Sequence, residues 1–191
     1  MPAAKLSRAE LIRKLAEVFR QHGYAGASLE RITAATGLGK GSLYNHFPGG
    51  KQQMAACVLE EIDGWFEREI YAPLRQAPDW HPLQQAPDWR GGVDAMLAAT
   101  DAYFQSGGRV CLMGAFALDD TRDLFAERLR GYFVAWIDAL AGLLARGGVP
   151  DAQAKAESLV AGIQGALTLA RALDDATAFP RLLANLRRAL G

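Results

Sequence analysis

Apolar residues recur three and four positions apart along most of the chain. That period lines one face of an α-helix, and no stretch alternates long enough to read as a strand. Leu11, Ile12, Leu15, Ala16 and Phe19 form the first stripe. Ser7 and Glu10 precede it as a capping box, and Leu6 with Leu11 fall on the hydrophobic-staple positions. Gly23 suits a left-handed stop, so a helix is predicted over 8–22. Ser28 caps a short second helix carrying Leu29, Ile32 and Ala35 as far as Gly37. After Gly37-Leu38-Gly39 a third short segment, 40–47, closes at Pro48-Gly49-Gly50. Two short helices around a tight glycine-bearing turn predict a helix-turn-helix. From Lys51 a longer stripe of Met54, Val58, Leu59, Ile62, Phe66 and Ile70 predicts a helix that Pro73 ends.

Residues 74–89 read as a proline-broken connector in which Gln76-Ala77-Pro78-Asp79-Trp80 recurs as Gln85-Ala86-Pro87-Asp88-Trp89. Nothing else shares that period, so it is a local duplication and not a repeat architecture. Helices are predicted beyond it near 91–106, 109–118, 122–146, 151–173 and 178–190, with glycine and proline clusters at the breaks. The fold class is all-α.

Composition changes the picture in one respect. Half of the 191 residues are apolar and 22% are charged, ordinary for a chain that buries a core without disulfides or metals. The formal charge is zero, yet residues 1–51 hold eight basic groups against three acidic ones, so this segment carries +5 and the remainder −5. A basic end on an acidic body suits a polyanionic partner at that end, although a solvated basic face accounts for the charge equally well. Cys57 and Cys111 are too few for a disulfide framework and lie in helical patterns, as in a reducing compartment. The first residues lack the apolar core of a secretory leader. The longest apolar run, 110–118, is well short of the ~20 residues of a bilayer crossing. A cytoplasmic protein without membrane association is expected. His22, His46, His81 and the two cysteines show no metal-ligand spacing, and no catalytic grouping or phosphate loop is present. Neither a metal, a cofactor nor enzymatic activity is expected.

The run from Ser28 through Arg31, Ile32, Gly37, Lys40, Gly41, Ser42, Leu43, Tyr44-Asn45-His46-Phe47 resembles the TetR family of bacterial regulators. Ala16, Phe19 and Gly23 of the first helix fit the same pattern, and the strict resemblance covers about residues 7–60. It is looser in the tail, where 164–171 looks like the penultimate helix of many members. Gly39 departs from the serine or threonine that usually caps the third helix, and Thr33 from alanine. Pro48-Gly49-Gly50 sets Lys51 one residue further from Phe47 than the commonest spacing. The forms 46–51 and Cys111-Leu112-Met113-Gly114 look like the LmrA/YxaF subgroup. The resemblance implies an N-terminal three-helix DNA-binding domain over 5–65, with its helix-turn-helix at 28–47. It implies a C-terminal helical ligand-binding and dimerisation domain over 66–191. The implied partners are a double-stranded, pseudo-palindromic DNA operator, a second copy of the chain, and a small lipophilic or aromatic effector whose binding releases the operator, with repression the expected outcome.

The first residues of a recognition helix face the major groove, so Lys40, Gly41 and Ser42 are placed to meet bases or phosphates. Lysine donates to guanine O6 and N7, and glycine lets the backbone approach closely. Tyr44, His46 and Lys51 are expected on phosphates, with Ser28 offering a helix N-terminus to another. Four positions keep an alternative: Asn45 suits an adenine edge or solvent, Arg31 a phosphate or open surface, His46 a phosphate or the carbonyls ending its helix, and Tyr44 a half-core place with its hydroxyl left for a phosphate. Leu29, Ile32, Leu38, Leu43 and Phe47 are expected in the core.

In the body, Leu159, Ile163, Leu167 and Ala170 form one stripe, with Gly162, Gly165 and Ala166 beside it, and Phe179, Leu182, Leu183, Leu186 and Leu190 form another. Two such helices from each of two copies make a four-helix bundle; the alternative is that both stripes serve the protomer's own core. The resemblance, more than the pattern, implies a pocket lined by Tyr103, Phe104, Cys111, Met113, Phe116, Phe133, Trp136 and Ile137, with Gln164 and Thr168 as polar anchors. Effector binding is then expected to tilt the helix over 51–70 and part the reading heads. The competing signal is a thiol sensor at Cys111 or Cys57, suggested by Arg109 close to Cys111 in sequence.

Overall fold

The computed structural model describes residues 6–76 and 88–191. Most of the duplicated connector falls on 77–87, outside the described residues. The elements are α1 (Arg8–Gly26), α2 (Leu29–Thr36), α3 (Lys40–His46), α4 (Gly50–Phe66), a π-helical turn (Glu67–Tyr71), α5 (Ala72–Gln76), α6 (Trp89–Phe104), α7 (Leu112–Ala117), a 3-10 turn (Arg122–Phe125), α8 (Ala126–Arg146), α9 (Ala152–Ala172) and α10 (Ala178–Ala189). No strand occurs among the described residues, so the all-α expectation holds.

Local chemistry accounts for the boundaries. The capping box forms at α1: Glu10 N donates to Ser7 Oγ at 3.3 Å, and Ser7 N to Glu10 Oε2 at 2.8 Å. Gly23, at φ 65° and ψ −179°, interrupts the helical path without ending it, and the chain turns on to Gly26. Pro73 does not end the long helix as the sequence suggested. In the π turn ahead of it Ala72 N donates to Glu67 O, and the chain runs on helically through Pro73 into α5.

The chain divides by compactness into two units. One comprises Met1–Asp63 and Leu112–Leu129. Its core holds Leu11, Leu15, Ile32, Leu43, Phe47 and Met54 at 0% exposure and Phe19 at 1%. Into it α7 and the 3-10 turn bring Phe116 and Phe125. The Phe116 ring lies edge-on to Phe19 and Tyr24 at 6.0 and 5.9 Å, and Phe125 meets Tyr24 at 5.4 Å. The contiguous division at 65/66 had not assigned this mid-chain segment to the N-terminal unit.

The other unit comprises Gly64–Cys111 and Arg130–Gly191. Phe66, Phe104, Trp136, Leu140, Ile163 and Phe179 are fully buried in it. Its aromatic cluster centres on Phe66, with Tyr132 at 4.9 Å, Tyr103 at 5.1 Å and Trp136 at 5.2 Å. Helices α9 and α10 pack so closely that a Cβ at Gly162 would run into Leu186.

Candidate nucleic-acid interface

The α2–turn–α3 unit is set by caps at each corner. Ser28 Oγ accepts from Arg31 N at 3.3 Å and starts α2. At the other end Gly37 takes φ 73°, a left-handed conformation costly for any side chain, and its N–H returns to Thr33 O at 2.8 Å. Thr36, 2% exposed, donates to Ile32 O and accepts from Leu38 N, satisfying the turn from inside. Sequence reasoning missed Thr36; its place just before Gly37 was the available signal. Helix α3 begins at Gly39 with no side-chain cap, as the departure from the usual pattern foretold.

Leu43 and Phe47 bury one side of α3 completely, with Ile32 of α2 equally buried and Leu29 and Leu38 half-buried. The other side exposes Lys40, Gly41, Ser42, Tyr44, Asn45 and His46. Nothing lies within 4 Å of where a Cβ on Gly41 would sit, so its backbone is open to approach. Tyr44 is 44% exposed, with its ring edge 3.5 Å from the Cβ position of Gly50. Six of the predicted DNA-contacting residues are therefore exposed together on α3, and Ser28 is half-buried at the start of α2.

Arg31 and Lys51 do not stand free beside them. Arg31 Nη1 donates to Gly26 O at 2.6 Å, and Lys51 Nζ to Tyr24 O at 2.9 Å. Lys14, which the sequence did not single out, likewise donates to Ala35 O at 2.9 Å and holds the end of α2. Cationic side chains at helix C-termini complement the carbonyl dipoles there, and only the folded chain places these carbonyls beside them.

The predicted pocket residues divide between the units. Met113 and Phe116 are buried in the unit that carries α3. Tyr103, Phe104, Cys111, Phe133, Trp136, Ile137, Gln164 and Thr168 belong to the other. There Tyr103 meets the ring of Trp65, absent from the sequence expectation, at 4.3 Å. The Arg109 guanidinium lies 5.2 Å from the centroid of the same Tyr103 ring. Thr168 is exposed and donates to Gln164 O, so it does not point inward as an anchor. Among the described residues of this unit, three polar atoms are buried without an ordinary hydrogen bond: Asp101 Oδ1, Tyr132 Oη and Gln164 Nε2. Burial first, then Cys111, Tyr71 and Tyr103, hold the Tyr132 hydroxyl protonated well above the usual tyrosine range. The Cys111 thiol lies close enough to interact with it, but sulfur is a weak partner. Cys111 is 8% exposed, and the Arg109 guanidinium sits over the Tyr103 ring, which argues against an exposed, cation-activated thiol.

The predicted self-association stripes need correction. Leu159, Ile163, Leu167 and Phe179 are 0–5% exposed within the protomer, so they belong to its own core. Leu182 and Leu186 are half-buried. The face of α9 left open carries Ala161, Gly165, Thr168, Leu169 and Ala172, followed by the C-cap Leu173, with Leu169 at 47% and Leu173 at 62% exposure. No helix among the described residues is long and apolar enough to cross a membrane.

Comparison with known proteins agrees with this architecture. Residues 11–57 match the family described as bacterial regulatory proteins, tetR family, and residues 89–184 match the LmrA/YxaF-like transcriptional regulator C-terminal domain. The chain is 29% identical over 171 residues to the HTH-type transcriptional repressor DhaR of Mycobacterium sp., covering 84% of this chain and 80% of DhaR. It is 38% identical over 64 residues to the regulator LmrA of Bacillus subtilis, a match spanning only 34% of either chain. Among solved structures, a cysteine mutant of the TetR family regulator CifR, complexed with 26-bp operator DNA, superposes with a TM-score of 0.71 at 28% identity, over 100% of this chain and 98% of CifR. With a helix-turn-helix at its N-terminus and a matching helical domain behind it, the chain belongs to the TetR family of DNA-binding transcriptional regulators, in its LmrA/YxaF-like branch.

Proposed function

We propose that this regulator is a cytoplasmic homodimeric repressor that reads a two-fold-related operator with α3 and releases it when a small lipophilic or aromatic effector binds. The observation that carries the DNA-reading role is the division of α3, with Leu43 and Phe47 locked in the core and Lys40, Gly41, Ser42, Tyr44, Asn45 and His46 exposed together. Lys40 to Ser42 are assigned to base edges and Tyr44 and His46 to phosphates, with Ser28 at a further phosphate. DhaR is a repressor by name, which supports repression. We assign the chain no catalytic activity.

Two features support the remainder of the reading. Buried polar groups left without partners cost about 1–3 kcal/mol each. Asp101 and Gln164 offer two such atoms, and Tyr132 a hydroxyl met only weakly by sulfur, in a unit already rich in aromatic rings. An aromatic effector with its own hydrogen-bonding groups suits this unit. The exposed face of α9, with Gly165 and Ala161 among larger apolar groups, suits a second copy of the chain. A dimer is also what places two reading helices the ~34–36 Å apart that successive turns of DNA require.

The test is fluorescence anisotropy on the DNA flanking the chain's own gene and on a random-sequence selection library, over a salt series. Salt-sensitive binding by two subunits per site is expected, with Lys40→Ala and Tyr44→Ala each weakening it about tenfold or more while the helical content stays intact. Full operator affinity in both variants would sink the assignment of α3.

A further inference from the structure

Lys51, at the start of α4, is a natural candidate for a phosphate contact from its place in the sequence. We propose instead that Lys51 is a positioning residue, an internal cation that fixes the start of α4 to the end of α1 and does not reach DNA. The proposal rests on the DNA-reading role assigned above.

The Lys51 ammonium is half-buried and already engaged. It donates to Tyr24 O at 2.9 Å, lies 3.5 Å from Ala25 O, and stands 4.5 Å over the centroid of the Tyr24 ring. The carbonyls end α1, where the helix dipole favours a cation, and the ring adds its negative face. A phosphate contact would require leaving both. Tyr24 is itself held, with its ring parallel to Phe19 at 6.1 Å and met edge-on by Phe116 and Phe125. Burial raises the Tyr24 hydroxyl above its ordinary range, so the ring stays neutral at physiological pH.

The same segment brings a carboxylate. Asp119 accepts from the Thr121 hydroxyl and amide, and these bonds hold its carboxyl below the usual range, aided by the charge of Lys51. Its Oδ2 lies 3.8 Å from the position a Cβ on Gly23 would take, beside the break in α1. Lys51 therefore meets carbonyls from α1, a ring in α1, and the field of an anion from Leu112–Leu129. That segment is joined at both ends, through Cys111 and Arg130, to the chain of the other unit. What Lys51 holds also bears on α3, because Tyr44 rests on Gly50, its immediate neighbour.

The experiment compares Lys51→Met, Lys51→Gln, Lys51→Arg, Asp119→Asn and the Lys51→Met/Asp119→Asn double variant. Operator affinity is measured by anisotropy across a potassium chloride series, and stability by urea unfolding without DNA. Lys51→Met is expected to weaken operator binding about tenfold while the slope of log affinity against log salt stays that of the unaltered protein, because no phosphate contact is lost. Lys51→Arg, which can also cap the carbonyls, should recover most of the affinity. In urea the effects of Lys51→Met and Asp119→Asn should be non-additive. Lys51→Gln, which keeps a donor for Tyr24 O, is read for the same unchanged slope if the methionine variant does not fold. A slope reduced by about 1.8 in either neutral variant is the signature of two lost phosphate contacts, one from each subunit, and would overturn the proposal. Unaltered affinity in both would overturn it too, and additivity in urea would remove Asp119 from it. If the unaltered chain binds no DNA while the urea coupling persists, the DNA-reading role fails, and Lys51's part in it fails with it.

Discussion

Phe116 offers the sharpest test of how the N-terminal unit is built. Its side chain is 1% exposed, and its ring meets Phe19 at 6.0 Å, Tyr24 at 5.9 Å and Phe125 at 5.5 Å. Truncating a phenylalanine so enclosed to alanine costs about 3–5 kcal/mol, including the cavity left where the neighbours cannot collapse. Edge-on ring pairs, each contributing about 0.5–1.5 kcal/mol, place Phe116→Ala toward the upper end of that range. Such a loss raises the population of locally opened states roughly 10²- to 10⁴-fold, at a factor of ten per 1.4 kcal/mol. Amide hydrogen exchange read peptide by peptide is the assay, because it locates the loss as well as measuring it. Phe116→Ala should strip protection from α1 around Leu15 and Phe19, although nearly 100 residues of chain lie between. Ile163→Ala, at a fully buried position of the other unit, serves as the control and should act first on α9 and α10. If Phe116→Ala leaves α1 as protected as before and opens only peptides of Gly64–Cys111 and Arg130–Gly191, then Leu112–Leu129 does not belong to the DNA-reading unit and the reasoning fails.

Further outcomes are expected at acid pH and at the surface of α9. Asp119 has a lowered folded pKa, so its stabilisation is present above its unfolded value near ~3.9 and is lost as pH falls through the folded one. Asp119→Asn should therefore flatten the loss of stability below about pH 4 in urea midpoints, and an unchanged acid limb would contradict this. Asp63 has the opposite sign. Burial, outweighing its 2.9 Å bond from Arg128, raises its folded pKa, so its contribution falls as pH rises through that value. Relative to the unaltered protein, Asp63→Asn should gain stability between acid and neutral pH; a pH-independent difference between the two would refute the assignment. Leu169→Glu with Leu173→Glu should yield a monomer in sedimentation while urea stability extrapolated to low protein concentration stays unchanged, since both side chains are exposed in the protomer. A dimer persisting at micromolar concentration would place the interface elsewhere.

The sequence by itself determined the helices, their caps and the chemistry of α3. Each of those depends on residues within about one turn of one another. Ser7 with Glu10, Ser28 with Arg31 N, and Gly37 behind Thr33 are local arrangements that any chain with these residues tends to make. The division of α3 into a buried and an exposed face followed from its period for the same reason. Tertiary structure decided what period alone leaves open, namely which partner an apolar stripe or a free cation meets. Leu159, Ile163 and Leu167 form a stripe that suits a second chain as well as it suits α10, and packing within the protomer took it. Phe116 suits a pocket or a core, and a segment distant in sequence carried it to Tyr24. Pro73 ends an ordinary helix, but here, behind a π turn, the chain ran on helically through it. Arg31 and Lys51 are cations at the edge of a DNA-reading helix in the sequence. In the fold they are caps, because carbonyls at the end of α1, left without partners inside their own helix, came within hydrogen-bonding reach.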